Sequence, residues 1–217
     1  MILGAALGAP GAPLRILCLG AHCDDIEIGC GGTVLRLLAE RPGSTVRWVA
    51  FSSNARREAE ARAAAGELLT GAGGREVIIK QFKDGYLPFQ GAEVKDAFEA
   101  AKGDYQPDLV LTHHRHDRHQ DHRMVAELTW NTYRDHLILE YEIPKYEGDL
   151  GTPNLYFPLP AEVVRRKIDV LMRSYPSQAG KRWFRAETFE AVLRLRGIEC
   201  NAPEGFAEAF HAPKLVM

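Results

Sequence analysis

An α/β fold with a mostly parallel sheet, covered by helices on both faces, is predicted by three features of the sequence. Short runs rich in Val, Leu and Ile alternate with longer segments whose apolar residues recur at helical spacing. Gly and Pro clusters mark the junctions between them. The residues best suited to chemistry all fall just after predicted strands. Strands that alternate with helices pair in parallel, because each helix returns the chain to the same end of the sheet.

The segment Met1 to Pro13, rich in Gly, Ala and Pro without a period, reads as a loose arm. Leu14 to Gly20 is the first strand. From Gly32 the positions Val34, Leu35, Leu37 and Leu38 carry a helix that stops near Arg41, before Pro42 and Gly43. Val46 to Ser52 is the second strand, and Ala55 to Leu69 an Ala-rich helix ended by Gly71, Gly73 and Gly74. Glu76 to Phe82 is the third strand, about 92 to 102 a helix, and Leu109 to His113 the fourth strand. Asp121 reads as the N-cap of a helix reaching about Arg134, and Leu137 to Ile143 as a further strand. The stretch from Tyr146 to Pro160 reads as loop. Val163, Val164, Lys167, Ile168, Leu171 and Tyr175 share one helical face, and a last helix runs from about Glu187 to Arg196, stopping at Gly197.

The length of 217 residues suits one domain spanning the whole chain. With 27 basic and 29 acidic residues the net charge is −2, so no long-range field favours nucleic acid or an anionic membrane, and a small-molecule substrate fits better. No apolar run reaches the roughly 18 residues that span a bilayer, and the N-terminal stretch lacks a basic segment. A soluble, cytoplasmic protein is expected, with self-association into a homo-oligomer left open. Cys18, Cys23, Cys30 and Cys200 form no paired framework.

His22, Asp24 and Asp25 follow the first strand, Arg57 lies beyond the second, Asp84 follows the third, and a histidine cluster follows the fourth. In an open parallel sheet these positions share one edge, where ligands bind. His113, His114, His116, His119 and His122 make up five of the eight histidines and stand in one short window with Asp117 and Asp121. Imidazole and carboxylate together suit zinc, with ferrous iron or another divalent transition metal as alternatives. The adjacent aspartates divide two roles that metal-assisted hydrolysis needs: Asp25 as ligand, Asp24 as base toward the metal-bound water.

The segment Ala21-His22-Cys23-Asp24-Asp25 together with His119-Gln120-Asp121-His122 resembles the LmbE and PIG-L-like family of metal-dependent N-acetylglucosaminyl de-N-acetylases. The likeness extends to Ile26 to Thr33 (IEIGCGGT), to the Arg57 and Glu60 pair and to Asp84, covering about two thirds of the chain. It implies a Rossmann-like three-layer sandwich and a deacetylase hydrolysing a linear amide on an N-acetylated aminosugar or sugar conjugate. It places the metal on His22, Asp25 and His122 and the general base on Asp24. It makes His119 the group that stabilises the oxyanion or protonates the leaving amine, with Asp121 orienting and charging it. Arg57 and Asp84 are then expected to contact sugar hydroxyls.

Two departures stand out. Cys23 occupies a position where many relatives carry proline; a thiolate ligand there is not expected, since thiolates favour closed structural sites. Tyr175-Pro176-Ser177-Gln178 and Ala207-Glu208-Ala209-Phe210 look like substrate-side segments but match only loosely.

Blander readings compete at several positions. Asp121 could serve only as a helix cap, and Arg57 could pair with a carboxylate of its own helix. His113, His114 and His116 are expected to be structural or rim residues. Arg165, Arg166 and Lys167 read as a solvated helix face rather than a phosphate site. Gly29, Gly31 and Gly32 lack the dinucleotide spacing and are expected to form a tight turn pressing the metal loop on the helix. Two functional alternatives remain: an amidase on a larger sugar or thiol conjugate, and a metal-binding module without turnover.

Overall fold

The computed structural model describes residues 7–103 and 105–215. The elements run β1 (Arg15–Gly20), α1 (Asp25–Glu40), β2 (Thr45–Ser52), α2 (Ala55–Leu68), β3 (Gly74–Phe82), α3 (Gly91–Lys102), β4 (Leu109–His113), α4 (Gln120–Thr132), β5 (Ile138–Tyr141), β6 (Leu155–Pro158), α5 (Ala161–Ser174), α6 (Ala186–Glu199) and β7 (Ala207–His211). Short 3-10 turns cover Leu87–Gln90 and Pro176–Gln178.

The strands form one sheet in the order β3-β2-β1-β4-β5-β7-β6. The pairings from β3 across to β5 are parallel, and β7 runs antiparallel to both β5 and β6. Alternate residues of β1 face opposite layers, as the two-residue period of a strand requires. Ile16 and Cys18 join a core with α1, α2, α5 and α6, whereas Leu17 and Leu19 join a second core with α3 and α4. The three-layer α/β/α sandwich with a mostly parallel sheet is therefore as expected. After β3 the chain crosses to the far side of β1, so the strand order reverses between β1 and β4, and a crevice opens at their carboxyl ends.

Several expectations need correction. Helix α1 begins at Asp25 rather than Gly32, so the three glycines lie inside it and not in a turn. They permit close packing: a Cβ on Gly29 would sit 2.2 Å from the Tyr141 ring, and one on Gly32 2.6 Å from Leu159. Their lack of side chains, together with buried Glu27, hid the helical period from the sequence. Likewise α6 continues past Gly197, where a Cβ would meet the Gly205 backbone at 2.2 Å.

The N-cap of α4 is His119, not Asp121. Strand β6 lies inside the stretch expected to be loop, and Ala207 to Phe210 is a buried strand rather than a substrate-side segment. Lys167, expected on a solvated face, is buried; its Nζ donates to Glu208 Oε1 and to the Ile28 carbonyl, each at 2.6 Å. Of the expected N-terminal arm, residues 1–6 lie outside the described residues, and in the rest Arg41 Nη1 donates to the carbonyls of Ala9 (3.1 Å) and Ala12 (2.9 Å).

Candidate metal centre and active site

The loop after β1 carries His22 and Asp24, and Asp25 opens α1; the first turn of α4 carries Asp121 and His122. Because β1 and β4 are neighbours, the two segments meet at the reversal of strand order. His22 Nδ1 lies 3.2 Å from Asp25 Oδ2 and 3.1 Å from His122 Nε2, and His122 Nε2 lies 3.5 Å from Asp25 Oδ1. Ligands about 2.0–2.1 Å from a tetrahedral zinc stand about 3.3–3.4 Å apart. The two imidazole nitrogens have that spacing and each has one oxygen of the Asp25 carboxylate within 3.5 Å, so these residues fit a divalent ion.

The outer nitrogens decide which lone pairs point inward. His122 Nδ1 is 2.9 Å from Asp117 Oδ2, and the carboxylate can only accept, so Nδ1 carries the proton and Nε2 is bare. His22 Nε2 faces Asp84 Oδ1 at 3.2 Å and Asp121 Oδ2 at 3.4 Å, in ion-pair rather than hydrogen-bond geometry. Both imidazoles thus have a carboxylate behind them.

Among the described residues the ligand atoms gather in three overlapping groups: His22 with His119 and His122, Asp25 with His113 and His122, and His22 with Asp84 and Asp121. Hydrogen bonds separate them. His113, fully buried at the end of β4, accepts the Ala21 N–H on Nε2 at 2.9 Å, which uses the lone pair nearest Asp25. It stacks on His122 at 3.9 Å between ring centroids and is a buttress, in keeping with a structural role. His119 accepts the Asp121 N–H on Nδ1 at 3.3 Å, so in its neutral form the proton sits on Nε2.

The charges of the cluster are strongly coupled. Burial opposes ionisation of Asp25, but His122, His113 and His22 outweigh it and hold the carboxyl well below its usual range. Burial alone would lower the His22 pKa; Asp25 and the contacts with Asp121 and Asp84 raise it well above the ordinary value. His122 is pushed down to about 3 by burial and by His113, and the contact with His22 lowers Asp84 to about 2. The Cys23 thiol is pushed up to about 12, chiefly by burial, and Sγ donates to the Ser52 carbonyl at 3.5 Å, so it supplies no thiolate.

Each remaining expected residue has a definite place. Arg57 Nη2 donates to Asp24 Oδ1, across elements rather than along its own helix, and Asp24 raises the guanidinium pKa against the effect of burial. Asp121 does not bond the His119 ring. Its carboxylate instead accepts the N–H groups of Gly85 (2.7 Å) and Leu87 (3.1 Å), tying the loop that carries Asp84 to α4. Glu60 accepts from Ser177 N at 3.0 Å and Ser177 Oγ at 2.5 Å. The segment Tyr175 to Gln178 is therefore no substrate wall. Tyr175 is buried, and its hydroxyl lies 2.6 Å from both the Cys23 carbonyl and Glu27 Oε1, bracing the loop that carries His22 and Asp24 from behind.

A cleft of about 220 Å³ opens over the cluster. Its floor includes His22, Asp24, Asp25, Arg57, His119 and His122, with Asp84 beside them, and its rim is formed by Lys145, Tyr146, Glu147, Lys181 and Trp183. Sequence reasoning missed Asp117, Glu27 and Lys145. Asp117 stood in the histidine window, five residues before His122, and could have been found by asking what backs that imidazole. Nothing marked the other two.

Solved structures share this architecture. An N,N'-diacetylchitobiose deacetylase from Pyrococcus horikoshii superimposes with a TM-score of 0.69 at 20% identity, over 91% of this chain and 82% of that one. The A40926 pseudoaglycone deacetylase gives 0.66 at 18%, over 91% and 96%. A 4-carboxy-2-hydroxymuconate hydratase from Pseudomonas putida KT2440 gives 0.66 at 19%, over 94% and 98%. At such identities the likeness is one of fold, and the fold hosts more than one chemistry. Residues 17–133, just over half of the 217, match the family described as PIG-L: GlcNAc-PI de-N-acetylase. That stretch runs from β1 through α4 and holds the whole cluster on the cleft floor, and the chain belongs to this family.

Proposed function

We propose that the chain is a metal-dependent deacetylase that hydrolyses the acetamide of an N-acetylated aminosugar or sugar conjugate, releasing acetate and the free amine. The observation that carries this is the convergence of His22 Nδ1, Asp25 and His122 Nε2 at tetrahedral spacing, beside a second carboxylate, Asp24. Two imidazoles and one carboxylate with an open side suit zinc or ferrous iron in a catalytic site. A bound ion would supply Lewis acidity, lowering the pKa of a water and polarising the amide carbonyl.

The chain's own residues supply the rest. Asp24 takes the proton from the attacking water, and Arg57 aims it by holding Oδ1, leaving Oδ2 for that task. His119 Nε2–H donates to the developing oxyanion and then toward the leaving nitrogen. Asp84, whose side chain is 66% exposed, accepts from a sugar hydroxyl. With Arg57 committed to Asp24, its contact with sugar is secondary to its hold on the base. Asp121 acts by fixing the Asp84 loop and backing His22.

The cleft lies below the roughly 300–1,000 Å³ of pockets for drug-sized ligands, which favours a single sugar unit inside and any aglycone outside. Its open rim, with Tyr146 at 70% exposure, keeps an amidase acting on a larger conjugate as the second reading. The test is acetate release from a panel of N-acetylated sugars, nucleotide sugars and conjugates, with metal-stripped protein and with zinc or ferrous iron restored. Metal-dependent acetate supports the reading, and release of a larger acid supports the amidase. Asp24→Asn should bind metal as before and lose turnover by about 10²–10⁴-fold. Tight metal binding with no hydrolysis of any substrate would leave a binding module.

A further inference from the structure

Lys145 lines the cleft, where a lysine is ordinarily read as a ligand for substrate anions. Its surroundings point elsewhere. The side chain is only 8% exposed, and Nζ lies 2.9 Å from Asp117 Oδ2, 2.7 Å from Asp149 Oδ1 and 3.3 Å from the Ile143 carbonyl. An ammonium group has three donors, and all three are used. Nothing remains for a substrate.

The two carboxylates extend the connection. Asp117 also accepts from His122 Nδ1 at 2.9 Å and from the His119 N–H at 2.7 Å. Asp149 accepts the Arg118 N–H on its other oxygen at 2.7 Å. One ammonium therefore ties the rim segment from Ile143 to Asp149, which carries Tyr146 and Glu147, to the turn just before α4. That turn ends in His119, and the carboxylate on it backs His122.

We propose that Lys145 is a positioning residue that locks the rim of the substrate cleft to the carboxylate behind His122, so that pocket wall and metal site are held as one unit. The inference rests on the deacetylase reading for its kinetic consequence but not for its structural one. Without the ammonium, Asp117 and Asp149 are two buried anions facing each other, and the rim must move outward to rehydrate them. Substrate binding suffers first. The metal keeps its three ligands, and His122 keeps Asp117.

The experiment compares the full-length protein with Lys145→Met, Lys145→Arg and Asp117→Asn in three readouts. These are zinc affinity by chelator competition, chymotryptic cleavage after exposed Tyr146, and the KM and kcat of acetate release. Lys145→Met is expected to bind zinc within about threefold of the parent, to be cut after Tyr146 at least tenfold faster, and to raise KM at least tenfold with kcat within threefold. Lys145→Arg, which keeps the charge and the donors, should recover most of both. Asp117→Asn should lose zinc affinity, separating support of the metal from support of the rim. Unchanged cleavage after Tyr146 in Lys145→Met overturns the proposal, as does a loss of zinc affinity equal to that of Asp117→Asn. If no acetamide is turned over by the parent, the deacetylase reading fails while the zinc and cleavage readouts still decide the role of Lys145.

Discussion

Glu27 is a carboxyl group with no exposure to solvent, two residues beyond the proposed metal ligand Asp25. Burial pushes its pKa up to about 8 from the ordinary 4.5. Geometry supports the same state. The Tyr175 hydroxyl lies 2.6 Å from both the Cys23 carbonyl and Glu27 Oε1, yet it has one proton to donate. With that proton on the Cys23 carbonyl, the second contact needs a proton on Glu27. The stability consequence has a definite sign. Between the unfolded and folded pKa the native state holds a proton that the unfolded chain has released, so stability is highest below about pH 4.5 and falls as pH rises toward 8. The slope is at most about 1.4 kcal/mol per pH unit, or about 4 kcal/mol between pH 5 and pH 8. Glu27→Gln keeps the shape and the acceptor but cannot ionise. The assay is urea unfolding of metal-stripped protein at pH 5, 6, 7 and 8. Subtracting wild type from variant removes the titration of His22 and the carboxylates, which is common to both. The difference should move steadily in favour of the variant with rising pH. A difference that stays constant over those three units would mean that Glu27 is ionised in the native state, and the account of its burial would be wrong.

Three further outcomes are expected. Asp117→Asn, which replaces the carboxylate behind His122, should weaken zinc binding by about 10–100-fold in a chelator competition assay, with little change in fold. Zinc affinity should rise with pH, by up to tenfold per unit while His22 remains protonated in the metal-free protein, because its raised pKa makes a proton compete with the ion; proton release on titration with zinc measures this directly. Gly29→Ala should destabilise by about 1–3 kcal/mol, read as a fall in Tm of roughly 2–12 °C, since its Cβ would lie 2.2 Å from the buried Tyr141 ring.

What the sequence made legible follows from what pattern encodes. Strands β1, β2, β4 and β5 were visible because both of their faces are largely buried, which leaves short runs of Val, Leu and Ile between turn residues, and edge strand β3 was visible from its Val77, Ile78 and Ile79 run. The candidate site stood out because five of the eight histidines crowd one window after the fourth strand, and the family resemblance then singled out His22, Asp25 and His122. The N-terminal half of α1 was not visible, because Gly29 and Gly32 are required by the approach of Tyr141, Leu159 and Glu208 from elements more than a hundred residues away. Strand β6 escaped for a related reason. It is only four residues long, pairs with β7 alone and lies among Pro153, Pro158 and Pro160, so its neighbours read as loop and only the distant strand marks it. The role expected of Asp121 followed from the family resemblance, but the direction of its carboxylate depends on Gly85 and Leu87, which no local rule connects to it.

The same distant contacts favour His22, Asp25 and His122 as the proposed ligand set over any three of the eight histidines. A histidine becomes a ligand when its inward nitrogen is bare, and the outer partner decides that. Asp117 takes the proton of His122 on the far side, whereas the Ala21 N–H occupies the nitrogen of His113 that faces Asp25. His22 is the remaining variable. Metal-free, its raised pKa places a proton on Nδ1, 3.1 Å from the bare Nε2 of His122 and 3.2 Å from Asp25. That proton stands among the three donors that would hold the ion, and Asp84 and Asp121 are ready to keep the Nε2 proton when the Nδ1 proton leaves. The proposed centre is thus organised around one positive charge on His22, and binding of an ion there would exchange that proton for the metal.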